Sequence, residues 1–354
     1  MLPYYITIAT SVVAAGLSEF QRRFDLAHGR SRGSNVARLF ALVAGTALVV
    51  VAAFRWRVGT DYATYATNYE SYKTQPLDWL DEPGIRILAR FSAYILDDYA
   101  TMFALASIIT VGLTVATLYS RSRTFAFAIL IYVLSTSWQG SFNGVRQFFA
   151  CAVLFAGHKY VLERRLLPYL LIVLLATLFH VSALMAILLY WVPRKPMSWQ
   201  ATVLLLVVAA ALISAYDQLG SILEWVADDD VTATTYFVEQ VNPLRVLFAF
   251  FPVLVYWLFT KRQTLSDAGY FYANMLIVNA AIFMASMGSA YLARFAIYTQ
   301  IYLALAIPLL TNLDNPKERR IIISLLVLAY AAFWYLETST SANLSTFRWV
   351  TDRV

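Results

Sequence analysis

Apolar runs of about twenty residues recur along this chain from Thr7 to Trp334, and no interval between them is long enough to hold a soluble domain. A helix crossing about 30 Å of hydrocarbon needs roughly that length. Charged residues make up 14% of the 354 positions and hydrophobic ones 60%, far from the roughly 25% charge of a soluble domain. The chain therefore reads as an all-α, polytopic membrane protein with a single integral membrane domain over residues 1–354. The first segment starts at Leu2 without a basic leader or a small-residue cleavage site, which predicts a retained helix rather than a signal peptide. A net charge of +6 would suggest nucleic acid in a soluble protein, but the basic residues lie mostly in short loops beside helices, where they set orientation. No nucleic-acid partner is expected.

Clear candidate spans are 3–20, 36–54, 99–119, 144–162, 198–217, 243–260, 270–287, 294–311 and 320–337, with 124–138 somewhat short. Residues 83–96 are too short to cross and carry Arg86 and Arg90 on one face, which predicts an interfacial helix. Residues 166–192 are too long for one straight helix and short for two. Charge placement favours a hairpin with His180 near its tip. With the hairpin, 17 of the 27 Lys and Arg residues fall on one side; with a single crossing the split is 14 to 13. Each arm would be only ~20 Å long at 1.5 Å per residue. The resulting topology has about 11–12 transmembrane helices, with 55–98, 139–143, the His180 tip, 217–242, 288–293 and 338–354 on the outer face. No internal repeat or glycine-rich phosphate loop is seen.

Three outer-face arginines stand out against this asymmetry. Arg57 follows a helix end, Arg146 opens a helix in SFNGVRQFFA and Arg294 opens another in YLARFAIYTQIY. A guanidinium fork beside free backbone N–H groups suits phosphate or pyrophosphate; the bland alternative is that each arginine snorkels to the interface. His180 is the one histidine inside an apolar run, a functional residue by default in a membrane unless it bonds a neighbouring carbonyl. Asp61 and Glu82 are the carboxylates next to the basic patch, and Asp61 could instead pair with Arg57. Tyr62, Tyr65, Tyr69 and Tyr72 share one helical face, as an interfacial belt or a platform for sugar rings. Asp228, Asp229 and Asp230 read as an acidic solvated loop before a cation site. Cys151 reads as a buried thiol, and His28 and His158 receive no role. Neither a cofactor nor a metal is expected, because no histidine spacing supplies a zinc ligand set.

RVGTDYATY at 57–65, the Glu82-Pro83 pair, NGVRQFFACAVLF at 143–155, FHVSAL at 179–184 and RFAIYTQIYLALAIP at 294–308 occur in an order that resembles the EpsG family of bacterial exopolysaccharide proteins, related to Wzy-type polymerases. The ending NLSTFRWV departs from the family's proline-tyrosine close. The resemblance implies a GT-C-like membrane glycosyltransferase acting on polyprenyl-pyrophosphate-linked oligosaccharides at the outer face of the bacterial cytoplasmic membrane. Lipid-linked glycans and the bilayer are its implied partners, with chain-length regulator and export proteins beside them. Its motifs carry the expected site. His180, Asp61, Arg146 and Arg294 are the catalytic candidates, with His180 or Asp61 as base and the arginines on the leaving group. Arg57, Tyr62, Tyr65, Glu82, Asn143, Gln147 and Tyr298 are the substrate-binding ones. A membrane O-acyltransferase, a lipid-linked oligosaccharide flippase and an inactive scaffold are the competing readings. The flippase is disfavoured because spans 36–54, 99–119, 198–217 and 320–337 carry almost no charge.

Overall fold

The computed structural model describes residues 1–29, 34–79, 81–214, 242–260, 264–288 and 290–353. Every regular element among these residues is helical, and the one extended pairing among them is an isolated antiparallel bridge between Arg55 and Trp349. The chain is an all-α, polytopic membrane protein. It divides into two compact units, Met1–Tyr190 with Tyr330–Val354, and Trp191–Ala329.

The first unit contains, in chain order, α1 (Leu2–Ala27), α2 (Asn35–Ala53), α3 (Tyr62–Thr67), α4 (Tyr69–Thr74), α5 (Pro83–Ile95), α6 (Tyr99–Arg121), α7 (Phe125–Leu134), α8 (Ser137–Gly140), α9 (Val145–Gly157), α10 (Lys159–Leu162), α11 (Leu166–Thr177) and a 3₁₀ helix, Val181–Trp191. Helices α1 and α2 pack through small residues: Ser11, Ala14, Ala15 and Ser18 on one side, Ala37, Ala41 and Ala44 on the other, while Gly45 faces Val115 of α6. Such side chains let two backbones approach closely, which matters where lipid supplies no hydrophobic drive between helices. Ser18 Oγ then donates to the Ala37 carbonyl at 2.7 Å. Helix α6 packs on α2, and α9 packs on α6. Asp98 caps α6 by accepting from the Ala100 N–H at 2.8 Å.

In the second unit, Asp267–Ala285 is the central helix, buried on most of its surface. Asn274 on that helix donates to the carbonyls of Pro193 and Lys195, both at 2.8 Å, and so pins the segment that enters the unit. Pro252 lacks the N–H that a continuing helix needs, and Pro243–Val255 passes into a π turn over Tyr256–Thr260.

By length and composition, Asn35–Ala53, Tyr99–Arg121, Asp267–Ala285 and Pro316–Thr340 can each cross a membrane. Ala293–Gln300 and Leu303–Leu310, bent by 58°, make a fifth crossing if they form one broken span. These are the long spans among the described residues; shorter apolar helices, among them α7, α11 and Trp199–Ala211, stand beside them because several apolar runs break. Run 144–162 divides into α9 and α10, and 124–138 yields only the ten residues of α7. The run 166–192 does fold back on itself. Tyr169 Oη donates to the Ala186 carbonyl at 2.7 Å, and the rings of Tyr169 and Tyr190 lie 6.0 Å apart, so α11 and the 3₁₀ helix lie side by side with residues 178–180 at the tip.

The 83–96 segment is helical over Pro83–Ile95. One face buries Ile85, Leu88, Ala89 and Ser92 against α6, while Ile87, Phe91, Tyr94 and Ile95 are exposed, as in a helix lying at an interface. Arg86 and Arg90 face neither. Arg86 pairs with Asp81 at 2.5 Å, and Arg90 donates to the carbonyls of Lys73 and Gln75, so both tie the 73–81 loop to the helix.

Candidate active site

Glu82 precedes Pro83, and Pro83 is well placed at the first turn of α5 because its missing N–H would have no helical partner there. Glu82 itself has φ 44°, ψ 58°, a left-handed conformation. For a residue with a side chain this costs on the order of 1–3 kcal/mol and persists only where surrounding contacts enforce it. The contacts come from the hairpin tip. Gly84 N–H donates to the Leu178 carbonyl at 2.7 Å, and a Cβ on Gly84 would lie 2.7 Å from the Phe179 ring and 2.8 Å from that carbonyl. We expect Gly84→Ala to cost about 1–3 kcal/mol by overpacking, seen as a drop of several degrees in the thermal transition of the detergent-solubilised protein.

The Glu82 side chain makes no capping bond to its own helix. It reaches across to the hairpin instead. Oε1 meets His180 Nδ1 at 2.6 Å and accepts from the Val181 N–H at 2.8 Å, while Oε2 accepts from an Arg146 Nη at 2.5 Å. Burial works against ionisation of Glu82, but the His180 hydrogen bond, the Arg146 charge and the Val181 N–H outweigh it and hold the carboxyl below its ordinary pKa. An ionised carboxylate only accepts hydrogen bonds. His180 Nδ1 must therefore carry a proton, and it is the neutral tautomer of this arrangement whose Nε2 holds a lone pair. Among the described residues His180 has no other side-chain partner.

Arg146 is the second residue of α9, as its place in SFNGVRQFFA suggested. Its Nε donates to Tyr65 Oη at 3.2 Å, and its backbone N–H approaches the same oxygen at 3.5 Å. Burial raises the Tyr65 pKa, so the phenol stays neutral. The Arg146 side chain keeps 34% exposure against 10% for Glu82 and 18% for His180, so its fork retains an open edge. One turn along α9, Phe149 stacks on Phe179 at 3.9 Å, and Gln147 reaches Ser182 Oγ at 3.5 Å. These contacts seat the hairpin tip on the start of α9.

The RVGTDY turn lies beside this group. Gly59, at φ 107°, sits so close to the Phe142 carbonyl that a Cβ there would collide with it. Asn143 Oδ1 accepts from the Thr60 N–H at 2.9 Å, so this side chain braces the turn. Asp61 accepts from Thr60 Oγ1 at 3.0 Å and forms no ion pair with Arg57. The carboxylate on His180 is Glu82, a residue expected only among the substrate-binding ones. The hairpin brings its imidazole to the start of α5.

The tyrosine face is also reassigned. Tyr62, Tyr65 and Tyr69 are buried with Phe103, Ile85 and Leu88, Tyr62 stacks on Phe103 at 4.3 Å, and Tyr69 Oη bonds Ser92 Oγ at 3.1 Å. Tyr62 therefore fills a core and offers no free ring face for sugar. Tyr65 is buried too and serves through its hydroxyl. Arg294 and Tyr298 belong to the second unit. The helix carrying them begins at Ala290, so Arg294 lies in its second turn and not at its opening; Tyr298 is buried. Asp228, Asp229 and Asp230 lie outside the described residues. Cys151 is buried in α9, and His158, also buried, bonds the Phe155 carbonyl at 2.5 Å. Arg348 and Arg353, which the sequence reading gave no role, meet the 54–59 and 98–99 segments.

A carboxylate–imidazole–guanidinium group on an all-α membrane scaffold defines a class of membrane enzyme candidates, and comparison with known proteins narrows it. The EpsG family model matches residues 38–351, nearly the whole chain, and the chain belongs to that family of Wzy-type membrane polysaccharide polymerases. No curated protein and no solved structure matches.

Proposed function

We propose that this protein is a membrane glycosyltransferase of GT-C type that polymerises polyprenyl-pyrophosphate-linked oligosaccharide repeat units into an exopolysaccharide or O-antigen-like glycan at the outer face of the cytoplasmic membrane. The observation that carries the reading is the double use of Glu82, which orients His180 with Nε2 available and holds Arg146 beside it.

A hydroxyl of the acceptor's terminal sugar attacks the donor's anomeric carbon. The new C–O bond forms as the bond to pyrophosphate oxygen breaks, and the electron pair leaves with polyprenyl pyrophosphate. The hydroxyl proton passes to His180 Nε2, a general-base role suited to imidazole near neutral pH. Glu82 stabilises the imidazolium that results. The open edge of Arg146 meets charge developing on the leaving group, where a fixed donor acts most strongly. Arg294 is proposed as a catalytic cation, and Arg57 for substrate binding. Guanidinium groups do the work of charge neutralisation in this scheme, so we expect EDTA to leave the product distribution unchanged, measured by gel ladder against an untreated sample.

The test of the function uses purified protein in nanodiscs with defined lipid-linked repeat units. A ladder of products is expected. A single addition would point to a ligase-like transfer, lipid translocation without bond formation to a flippase, and acyl transfer to the glycan to an O-acyltransferase.

A further inference from the structure

The ending NLSTFRWV returns to the RVGTDY turn. Trp56 N–H donates to the Arg348 carbonyl at 2.9 Å, Val350 N–H to the Phe54 carbonyl at 2.8 Å and Gly59 N–H to the Asn343 carbonyl at 3.0 Å, around the Arg55–Trp349 bridge. Arg353 locks the far end by a bidentate pair with Asp98, at 2.5 and 3.0 Å, and its guanidinium lies 4.2 Å from the centre of the Tyr99 ring.

This strap brings Arg348 to the residue that Arg57 also uses. The Arg57 guanidinium lies 5.1 Å from the Trp56 ring and that of Arg348 6.0 Å from it. Both side chains belong to exposed residues, and neither pairs with a carboxylate among the described residues. The other described cations nearby are all occupied. Lys73 has Asp97 and Glu70, Arg86 has Asp81, Arg146 has Glu82 and Arg353 has Asp98, while Arg55 and Arg90 donate to carbonyls. Asp61, four residues from Arg57, is turned to Thr60 instead. Two like charges are thus held around one indole without a counter-charge. Arg57 is moreover held at φ 51°, a left-handed strain that the strap's hydrogen bonds enforce and that clusters at ligand sites.

We propose that Arg57 and Arg348 form a two-guanidinium clamp for a phosphoryl oxyanion, with Trp56 as the spacer between them. The chemistry fits a diphosphate or a phospholipid headgroup phosphate, since guanidinium forks match phosphoryl oxygens in pairs. Resting on the polymerase reading, the clamp supplies what the Glu82 group lacks: there Glu82 already cancels the charge of Arg146, whereas a pyrophosphate leaving group carries more than one negative charge.

The test is calorimetric titration of the full chain in detergent with inorganic pyrophosphate, beside association with nanodiscs containing phosphatidylglycerol or phosphatidylcholine alone. Arg57→Gln and Arg348→Gln should each weaken binding in one of these arms by roughly tenfold or more, and Arg348→Lys should recover part of the loss. Arg86→Gln, whose partner is Asp81, should leave both arms unchanged. A loss in the pyrophosphate arm identifies a diphosphate as the ligand; a loss confined to phosphatidylglycerol identifies a headgroup. Parental binding by both Arg57→Gln and Arg348→Gln, with parental thermal transitions, overturns the clamp. The outcome separates from that of the polymerase reading, because binding through the pair without any glycan ladder would retain the clamp and remove the polymerase.

Discussion

Glu82→Gln should abolish polymer formation, with a fall on the order of 10³-fold in the rate of glycosidic bond formation, while the protein still reaches the membrane. Glutamine keeps the size of the side chain but removes the charge that three donors share, from His180 Nδ1, the Val181 N–H and Arg146. An amide offers one carbonyl oxygen and a donor NH₂, so either His180 or Arg146 faces a donor. If His180 turns to the other tautomer, its proton sits on Nε2, where the acceptor hydroxyl's proton has to go. The check is the initial rate of product formation by equal amounts of membrane-extracted protein. The pH response follows from the same group. Because the folded-state pKa of Glu82 is depressed, its ionised contribution is present above the ordinary carboxylate value of about 4.3 and is lost only as pH falls through the lower folded value. Glu82 therefore stays ionised from pH 6 to 8, and the difference in thermal transition between the parent and Glu82→Gln should carry no slope from carboxylate titration across that range.

The second large effect is expected at His180. His180→Gln preserves a hydrogen-bonding side chain at the hairpin tip but not a base, and the rate should fall by about 10²–10⁴-fold. The tip itself should hold, since Phe179 stacks on Phe149 and Gly84 N–H binds the Leu178 carbonyl without help from the imidazole. Unchanged thermal stability with lost activity is the expected pairing. A histidine that is merely structural would give the reverse, lost stability with residual activity in proportion to the folded fraction.

The pieces of this site were legible in the sequence, but not their connections. Arg146 at a helix start, His180 at a hairpin tip and Glu82 before Pro83 follow from local rules about helix ends, charge asymmetry and proline. That Glu82 meets both of the others depends on pairings across 64 and 98 residues, which no local periodicity encodes. Gly59 reads as a turn that could aim Asp61 toward the membrane; in the fold that turn is at φ 107° and braced by Asn143, and Asp61 accepts from Thr60 Oγ1. The spacing of Tyr62, Tyr65 and Tyr69 identified one helical face, although the helix breaks at Asn68; it could not say whether that face met lipid, sugar or protein. The breaks within the long apolar runs were likewise hidden, because hydropathy measures transfer to lipid and not helix continuity. The C-terminal strap gave least warning, since its docking uses three backbone hydrogen bonds, two of them forming the Arg55–Trp349 bridge, and the Arg353–Asp98 pair.

The central claim is that Glu82 and His180 act as one unit in glycosidic bond formation, and a double-mutant cycle under single-turnover conditions tests it most directly. Groups that work as a unit show strongly non-additive losses. With a defined lipid-linked repeat unit as substrate, Glu82→Gln, His180→Gln and the double variant should all be slowed to a similar rate, orders of magnitude below the parent. Losses that multiply in the double variant, or a parental rate in either single variant, would contradict it.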